Sequence, residues 1–476
     1  MTVRDDHHQL INDITPTSGA ACAADLTACA AAVSPEELAA FSRTLGRLRA
    51  LPSQDRTRLH AERQLSSFVM ESRKRRRQEA KESVRQADVE LLAATATGAR
   101  HRREDTPLAP APGGPLGELQ VPRRCYVCKQ QYQQVDAFYH ALCPDCSADN
   151  TTRRALSTDL RGRRALLTGG RVKIGFQLAL MLLRDGAELI VTSRFPQDTV
   201  RRFRAAEGSE AWFERLTVVG IDLRDPRQVL GLTEQLRADG RPLDILVNNA
   251  AQTLRRPPES YALLAAGEST ALPGADRRAI AHAPGFRPLT DVAQLPSGAG
   301  ALIDLTDEAG LLPDLAPTNS WSATLGSLDP TELLETQLVN SLAPALLCDR
   351  LLPLLLASPR RARYIVNVTA VEGRFAVRNK TARHPHTNMA KAALNMLTRT
   401  SAAELAPQGV HMCAVDTGWI TDENPAPVKA RIAARGFRTP LDIVDGAARV
   451  YDPIVRGEAG HPVSGVFLKD YRVAEW

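Results

Sequence analysis

A chain of 476 residues, 43% hydrophobic and 24% charged, is long enough for two or three domains and a full buried core. Its net charge of +6 is spread over that length and does not by itself mark a nucleic-acid binder. No apolar run reaches the ~18 residues that a bilayer span needs, and MTVRDDHHQLINDITP lacks the charged-then-apolar layout of a secretion signal. A cytoplasmic protein without a membrane partner is therefore expected.

Residues 1–33 are rich in Ala, Thr and Ser without periodicity and are expected to be loosely ordered. A helix is predicted from Ser34, with Pro35 in the first turn and Glu36 and Glu37 complementing the dipole. Leu38, Phe41, Leu45 and Leu48 then share one face. A second helix is predicted over about 54–95, so that 34–99 forms an α-helical region. The run Arg73-Lys74-Arg75-Arg76-Arg77 lies beside Glu71, Glu79 and Glu82 and reads as a solvated mixed-charge face rather than a nucleic-acid patch. Residues 100–122, with PLAPAPGGP, read as a linker.

Four of the eight cysteines are clustered over 123–150: Cys125-x2-Cys128 and Cys143-x2-Cys146. Each pair forms a knuckle that offers two thiolates to one ion, and four sulfurs make a closed tetrahedral site. Structural Zn2+ is the expected occupant, with His140 as a possible substitute ligand. Tyr126, Tyr132, Phe138 and Tyr139 are expected to pack around the metal rather than stack on bases. Cys22, Cys29, Cys348 and Cys413 lie in Ala- or Leu-rich surroundings and read as small buried hydrophobes.

From 160 to 476, strands at 164–168, 188–193, 216–221, 243–248, 363–369 and 410–415 alternate with helical stretches. The expected fold is α/β: a doubly wound parallel Rossmann sheet, preceded by the small zinc module and the α-helical N-terminal region. An insertion occupies 252–330, because the connection from Asn249 to Asn340 is too long for one βα unit. Within ALLTGGRVKIG a strand runs into a Gly-rich turn and then an amphipathic helix, a unit that brings backbone N–H groups and a helix N-terminus to a pyrophosphate.

These motifs make 160–476 resemble a short-chain dehydrogenase/reductase. The family's TGxxxGxG turn corresponds to Thr168-Gly169-Gly170-Arg171-Val172-Lys173-Ile174-Gly175, with Lys173 in place of the middle glycine. Either Lys173 or Arg171 contacts a phosphate directly, or the turn has lost its ligand. The second strand ends Ser193-Arg194 with no carboxylate for a ribose 2′-hydroxyl, which favours NADP over NAD. The resemblance places Asp222-Leu223 at the adenine, with a helix cap as the plainer role for Asp222. It places Asn249-Ala250 and Gly418 with Thr421 along the cofactor, Thr417 replacing the family's proline.

The family's catalytic set is Asn, Ser, Tyr and Lys. Asn340 and Lys391 match two of them, whereas the tyrosine position is Thr387 and the serine position is Ala370, beside Thr369. A threonine hydroxyl is a far weaker acid than a phenol, so His386 beside the vacant position is a candidate proton donor, against a plain histidine in a polar surface loop. Arg374, Arg378, Lys380 and Arg383 either hold an acidic substrate or form a solvated face. The resemblance implies an NADP(H)-dependent oxidoreductase of a small-molecule carbonyl or alcohol, with an atypical proton donor, and a homo-oligomer. The alternative is a catalytically silent nucleotide-binding protein whose zinc module engages a protein or nucleic acid.

Overall fold

The computed structural model describes residues 33–110, 113–289, 306–377 and 380–476. They divide into a unit ending at Glu90 and a second from Leu91 to Trp476. The 1–33 segment, apart from Val33, lies outside the described residues, as do Cys22, Cys29 and Arg378.

In the first unit, α1 (Pro35–Ala50) opens with a capping box. The Ser34 hydroxyl accepts the Glu37 N–H at 3.2 Å, and the Glu37 carboxylate accepts the Ser34 N–H at 2.7 Å. Helix α2 (Arg56–Ala93) runs for 38 residues and ends inside the second unit. Its charged faces are laced by i,i+4 pairs such as Arg58–Glu62 and Arg75–Glu79.

The stretch read as a linker departs from that reading. Pro115 opens β1 (Pro115–Arg124), which pairs antiparallel with β2 (Gln131–Asp136) ahead of α3 (Pro144–Arg154). Only Leu119 of β1 is buried, so the strand left no alternating pattern to detect. Upstream of it, Arg102 donates to the Thr439 carbonyl at 2.7 Å and Glu104 accepts the Asp422 N–H at 3.0 Å. The segment is a strap along the body.

The six strands expected in the Rossmann region form β3 (Arg164–Leu167), β4 (Glu188–Ser193), β5 (Leu216–Gly220), β6 (Ile245–Asn248), β8 (Arg363–Thr369) and β9 (Val410–Asp416). The insertion supplies β7 (Ile280–His282), parallel to β5 at the sheet edge. The chain end supplies β10 (Phe467–Lys469) and β11 (Arg472–Ala474). These three-residue strands are too short for a hydrophobic period. The order is β11-β10-β9-β8-β6-β3-β4-β5-β7, and only β11 pairs antiparallel.

Side-chain alternation buries both faces. Ala165, Leu167, Ile245 and Val247 enter one core, and Leu166, Leu246 and Ile365 enter the other. Helices α4 (Lys173–Arg184), α5 (Pro196–Ala205), α6 (Pro226–Asp239), α9 (Pro385–Leu405) and α10 (Ile443–Glu458) join the strands. Between them α7 (Pro330–Gln337) continues through a π-helical turn, Leu338–Leu342, into α8 (Ala343–Leu356). The span Pro330–Leu356 is long and apolar enough by composition to cross a membrane, although it has no unbroken apolar run; half of that window is buried, with Leu347, Leu351 and Leu355 in the core.

From β3 the chain builds outward through β4 and β5, then returns to β6 on the other side. That reversal opens a crevice at the C-terminal ends of β3 and β6, where doubly wound sheets bind ligands.

Candidate active site

The Gly-rich turn leaves β3 with Gly169 at φ +72. A Cβ on Gly175 would lie 2.0 Å from the Gly169 carbonyl oxygen and 2.6 Å from Asn249 Nδ2, so only glycine lets α4 start this close to the turn. Lys173 holds the left-handed conformation at φ 54, which a glycine would adopt without strain. Ile174 packs beside the Ile420 and Leu441 cluster.

Several residues expected at a cofactor build its cradle. Asn249 Nδ2 donates to the carbonyls of Thr168 (3.1 Å) and Gly169 (3.0 Å), and Thr168 Oγ1 accepts the N–H groups of Asn249 and Ala250, both at 3.0 Å. Ser193 Oγ accepts from the Phe195 N–H (3.0 Å) and from Thr199 Oγ1 (2.8 Å), just ahead of and within the first turn of α5. Leu223 lies in the core. Arg171 pairs with Asp198 at 2.7 Å and donates to the Ala309 carbonyl at 2.8 Å.

Arg194 at the end of β4 lies over the rings of Phe195 (5.7 Å) and Tyr261 (5.1 Å), and its guanidinium reaches the Tyr261 hydroxyl at 3.4 Å. Tyr261 comes from the insertion, and nothing in its local sequence marked it. Asp222 is held by the fork of Arg224, with Nη2 to Oδ2 at 2.6 Å. Burial raises its carboxyl, but Arg224 outweighs that and holds it below the usual carboxylate range. Its carboxylate also accepts the Arg224 N–H at 3.0 Å; the cap of α6 is Asp225, not Asp222.

Asn340 sits in the π turn, where its amide bonds both backbone groups of Gln252, accepting at 2.7 Å and donating at 2.8 Å. It anchors the segment leaving β6. Lys391 is buried, and among the described residues its Nζ makes one hydrogen bond, to the Val368 carbonyl at 2.9 Å. Burial pushes its ammonium down to about 8, against a small opposing effect of Glu372. Thr387 precedes it by one turn of α9, buried, with a hydroxyl unpartnered among the described residues; Thr369 Oγ1 at the end of β8 is likewise buried and unpartnered among them. Gly373 is required nearby, since a Cβ there would meet the Lys391 backbone at 2.6 Å.

His386 is no surface-loop histidine. It lies fully buried in the first turn of α9, with both ring nitrogens unpartnered among the described residues, and burial lowers its pKa. Five positions from Lys391, it points about 140° around the helix from it. Of the basic cluster, Arg374 is buried and donates to the Glu475 carbonyl (2.6 Å), and Lys380 is bonded to the Glu372 carbonyl.

Asp416, at the end of β9, was not anticipated. It accepts the N–H of Val371 (2.7 Å) and of Gly418 (2.8 Å), tying the turn before Lys391 to the segment carrying Gly418 and Thr421. Gly418 has φ +83, and the Thr421 hydroxyl donates to Glu423 at 2.9 Å.

The four clustered cysteines converge, their sulfurs all within 4.8 Å of one another and Cys128 and Cys143 at 3.6 Å. That spacing suits a tetrahedral ion bound by thiolates at ~2.3 Å. Cys125, Cys143 and Cys146 are buried, and His140 is turned to Thr97 Oγ1 at 2.8 Å, outside the set. The aromatics Tyr126, Tyr132, Phe138 and Tyr139 are buried in the same cluster.

A parallel doubly wound sheet with a Gly-rich turn at its switch point defines a dinucleotide-fold protein. Family models for short chain dehydrogenase and for Enoyl-(Acyl carrier protein) reductase match residues 163–265 and 309–438. An uncharacterized protein of Acanthamoeba polyphaga mimivirus is 31% identical over 343 residues, 70% of this chain and 71% of that one. Gluconate 5-dehydrogenase of Gluconobacter oxydans is 35% identical over 104 residues, 21% of this chain and 39% of the enzyme. A short chain dehydrogenase from Burkholderia cenocepacia, solved with NADP, superposes with a TM-score of 0.42 at 23% identity, over 65% of this chain and 97% of that one. The chain belongs to the short-chain dehydrogenase/reductase family.

Proposed function

We propose that the protein is an NADP(H)-dependent oxidoreductase that interconverts a small-molecule carbonyl and its alcohol. The observation that carries this reading is Lys391, a buried cation with one backbone acceptor beside the strand ends of the crevice. Burying an ammonium this poorly partnered is costly unless a ligand completes its shell, and ribose hydroxyls suit it. NADP is favoured by Arg194, which stands at the end of β4 where no carboxylate is available for a 2′-hydroxyl.

A bound nicotinamide would supply a hydride to a carbonyl carbon, and the chain must supply the proton that completes the alcohol. With no tyrosine in place, we assign that proton to the Lys391 ammonium, acting through the Thr387 hydroxyl one turn earlier on the same face of α9. An acid with a pKa of about 8 is matched to neutral pH. In this relay Thr387 would pass its proton to the product oxygen and be reprotonated by Lys391. His386 points elsewhere and is left out of the relay. The cysteine cluster is proposed to hold structural zinc. Self-association is proposed on the helices carrying Asn340 and Lys391, which expose Leu334, Leu342, Met389 and Met396. The catalytically silent alternative is not favoured, because the module's aromatics are buried rather than offered to a partner.

Titration of the purified protein with NADPH and NADH, followed by nicotinamide fluorescence with Lys391→Ala as control, tests the reading. NADPH-selective binding lost in the variant is expected, and no binding of either nucleotide overturns it.

A further inference from the structure

The cysteine module shares a core with the nucleotide site. Cys125, Tyr126 and Tyr139 pack in one cluster with Ile420, Leu441 and Ile443, and Ile174 at the start of α4 borders it. The contact is locked by polar groups. Arg154 of α3 grips Asp442, the N-cap of α10, and reaches Asp445 at 3.1 Å. The Tyr139 hydroxyl donates to Asp445 at 2.6 Å, and Arg153 pairs with Asp452 at 2.6 Å. Tyr139 of the module and Arg153 and Arg154 at the end of α3 thus hold α10, which lies beyond the Ala426–Ala434 helix that follows the Gly418 segment.

One bond reaches that segment itself. Tyr126 is the residue after Cys125, inside the first knuckle, and its hydroxyl accepts the backbone N–H of Trp419 at 2.8 Å. The knuckle fixes Tyr126 in turn, because the Cys125 N–H donates to Gln130, and the Tyr126 N–H to Ala141, both at 2.8 Å. On its other side the segment hangs from Asp416, which also holds Val371 ahead of Lys391. There is little slack between these anchors, since a Cβ on Gly418 would lie 2.6 Å from Leu441.

We propose that the cysteine module braces the nucleotide site, with Tyr126 as the positioning residue. The ion fixes the knuckle, the knuckle fixes Tyr126, and Tyr126 fixes the 417–421 segment. This rests on the nucleotide reading above for its functional consequence, but not for the mechanical link.

The test uses the full chain as wild type, Tyr126→Phe and Tyr132→Phe, plus wild type stripped of metal by a chelator. Tyr132 donates to the His140 carbonyl within the module and serves as the control. Zinc content, amide hydrogen exchange over 417–421 and the NADPH Kd are read for each. Tyr126→Phe is expected to keep its zinc, to exchange the Trp419 amide at least tenfold faster, and to raise the NADPH Kd several-fold. Tyr132→Phe is expected to match wild type, and metal-stripped protein to show the same changes as Tyr126→Phe or larger ones. Unchanged Trp419 exchange in Tyr126→Phe overturns the brace, as does metal-stripped protein with wild-type exchange and Kd. If wild type binds no NADPH while Trp419 exchange still accelerates, the brace stands and the nucleotide reading falls.

Discussion

Lys391 and Thr387 lie one helical turn apart on α9, both buried, the lysine bonded only to the Val368 carbonyl and the threonine to nothing among the described residues. A family member built around a phenol has here a cation and a small hydroxyl. The chemistry that follows is set by how burial tunes the cation.

Because burial lowers Lys391 from its ordinary 10.5 to about 8, the unfolded chain binds its proton more tightly than the folded protein does. The stability of the protein without nucleotide is therefore depressed by this residue below pH 8 and recovers as pH rises from 8 towards 10.5. Lys391→Met, which removes the charge, is expected to be more stable than wild type at pH 7, by up to about 3 kcal/mol. The gap should narrow as pH rises above about 8 and close only above about 10.5. Urea unfolding of both proteins across that range measures it, and a pH-independent gap contradicts the assignment.

If Lys391 is the acid, carbonyl reduction should lose rate as pH rises through about 8. Thr387→Val, which keeps the shape and removes the hydroxyl, should lower kcat by ~10²-fold or more while leaving the NADPH Kd near wild type. The split between kcat and nucleotide affinity separates a relay from a packing defect.

Gly175→Ala places a methyl group into the Gly169 carbonyl and the Asn249 amide. Overpacking of this kind costs about 1–3 kcal/mol, and the displaced turn should abolish nucleotide binding. Thermal melting and NADPH titration of the variant would show both losses together.

Lys173→Gly is expected to act in the opposite sense on stability. It relieves a left-handed backbone at φ 54, worth about 1–2 kcal/mol. It also removes the cation that, with Lys429, holds Glu423 below its usual range against the effect of burial. A higher denaturant midpoint with weaker NADPH binding would show that Lys173 is strained for function; unchanged affinity would make it a neutral replacement of glycine.

Arg194→Ala should erase discrimination between NADPH and NADH by weakening NADPH alone, roughly tenfold or more given ~1.5–3 kcal/mol for a charged hydrogen bond. Competitive titration with the two nucleotides reads it. Equal weakening of both would place Arg194 at the adenine rather than at a 2′-phosphate.

The parallel sheet was legible because its strands carry strong local signals. Leu166, Ile190, Val247 and Val366 lie in apolar runs bounded by turn residues, and a strand buried on both faces has no other composition. The capping box at Ser34, the two cysteine knuckles and the glycine turn are likewise local, since each is completed by residues close in sequence. What the chain alone left open were the pairings between distant segments. Arg171 pairs with Asp198, Ser193 bonds to the start of α5, and Asn249 bonds to the turn, and none of these partners could be read from the residues around them. Asp416 carries no motif and Tyr126 has only its place inside the knuckle, and their partners lie 45 and 293 positions away. Local sequence determined the six central strands and the main helices, through periodicity, capping and steric room. Only the tertiary structure decided which polar groups remain free to do chemistry, because a hydrogen bond or ion pair between remote segments uses up a side chain without leaving a trace in the residues around it.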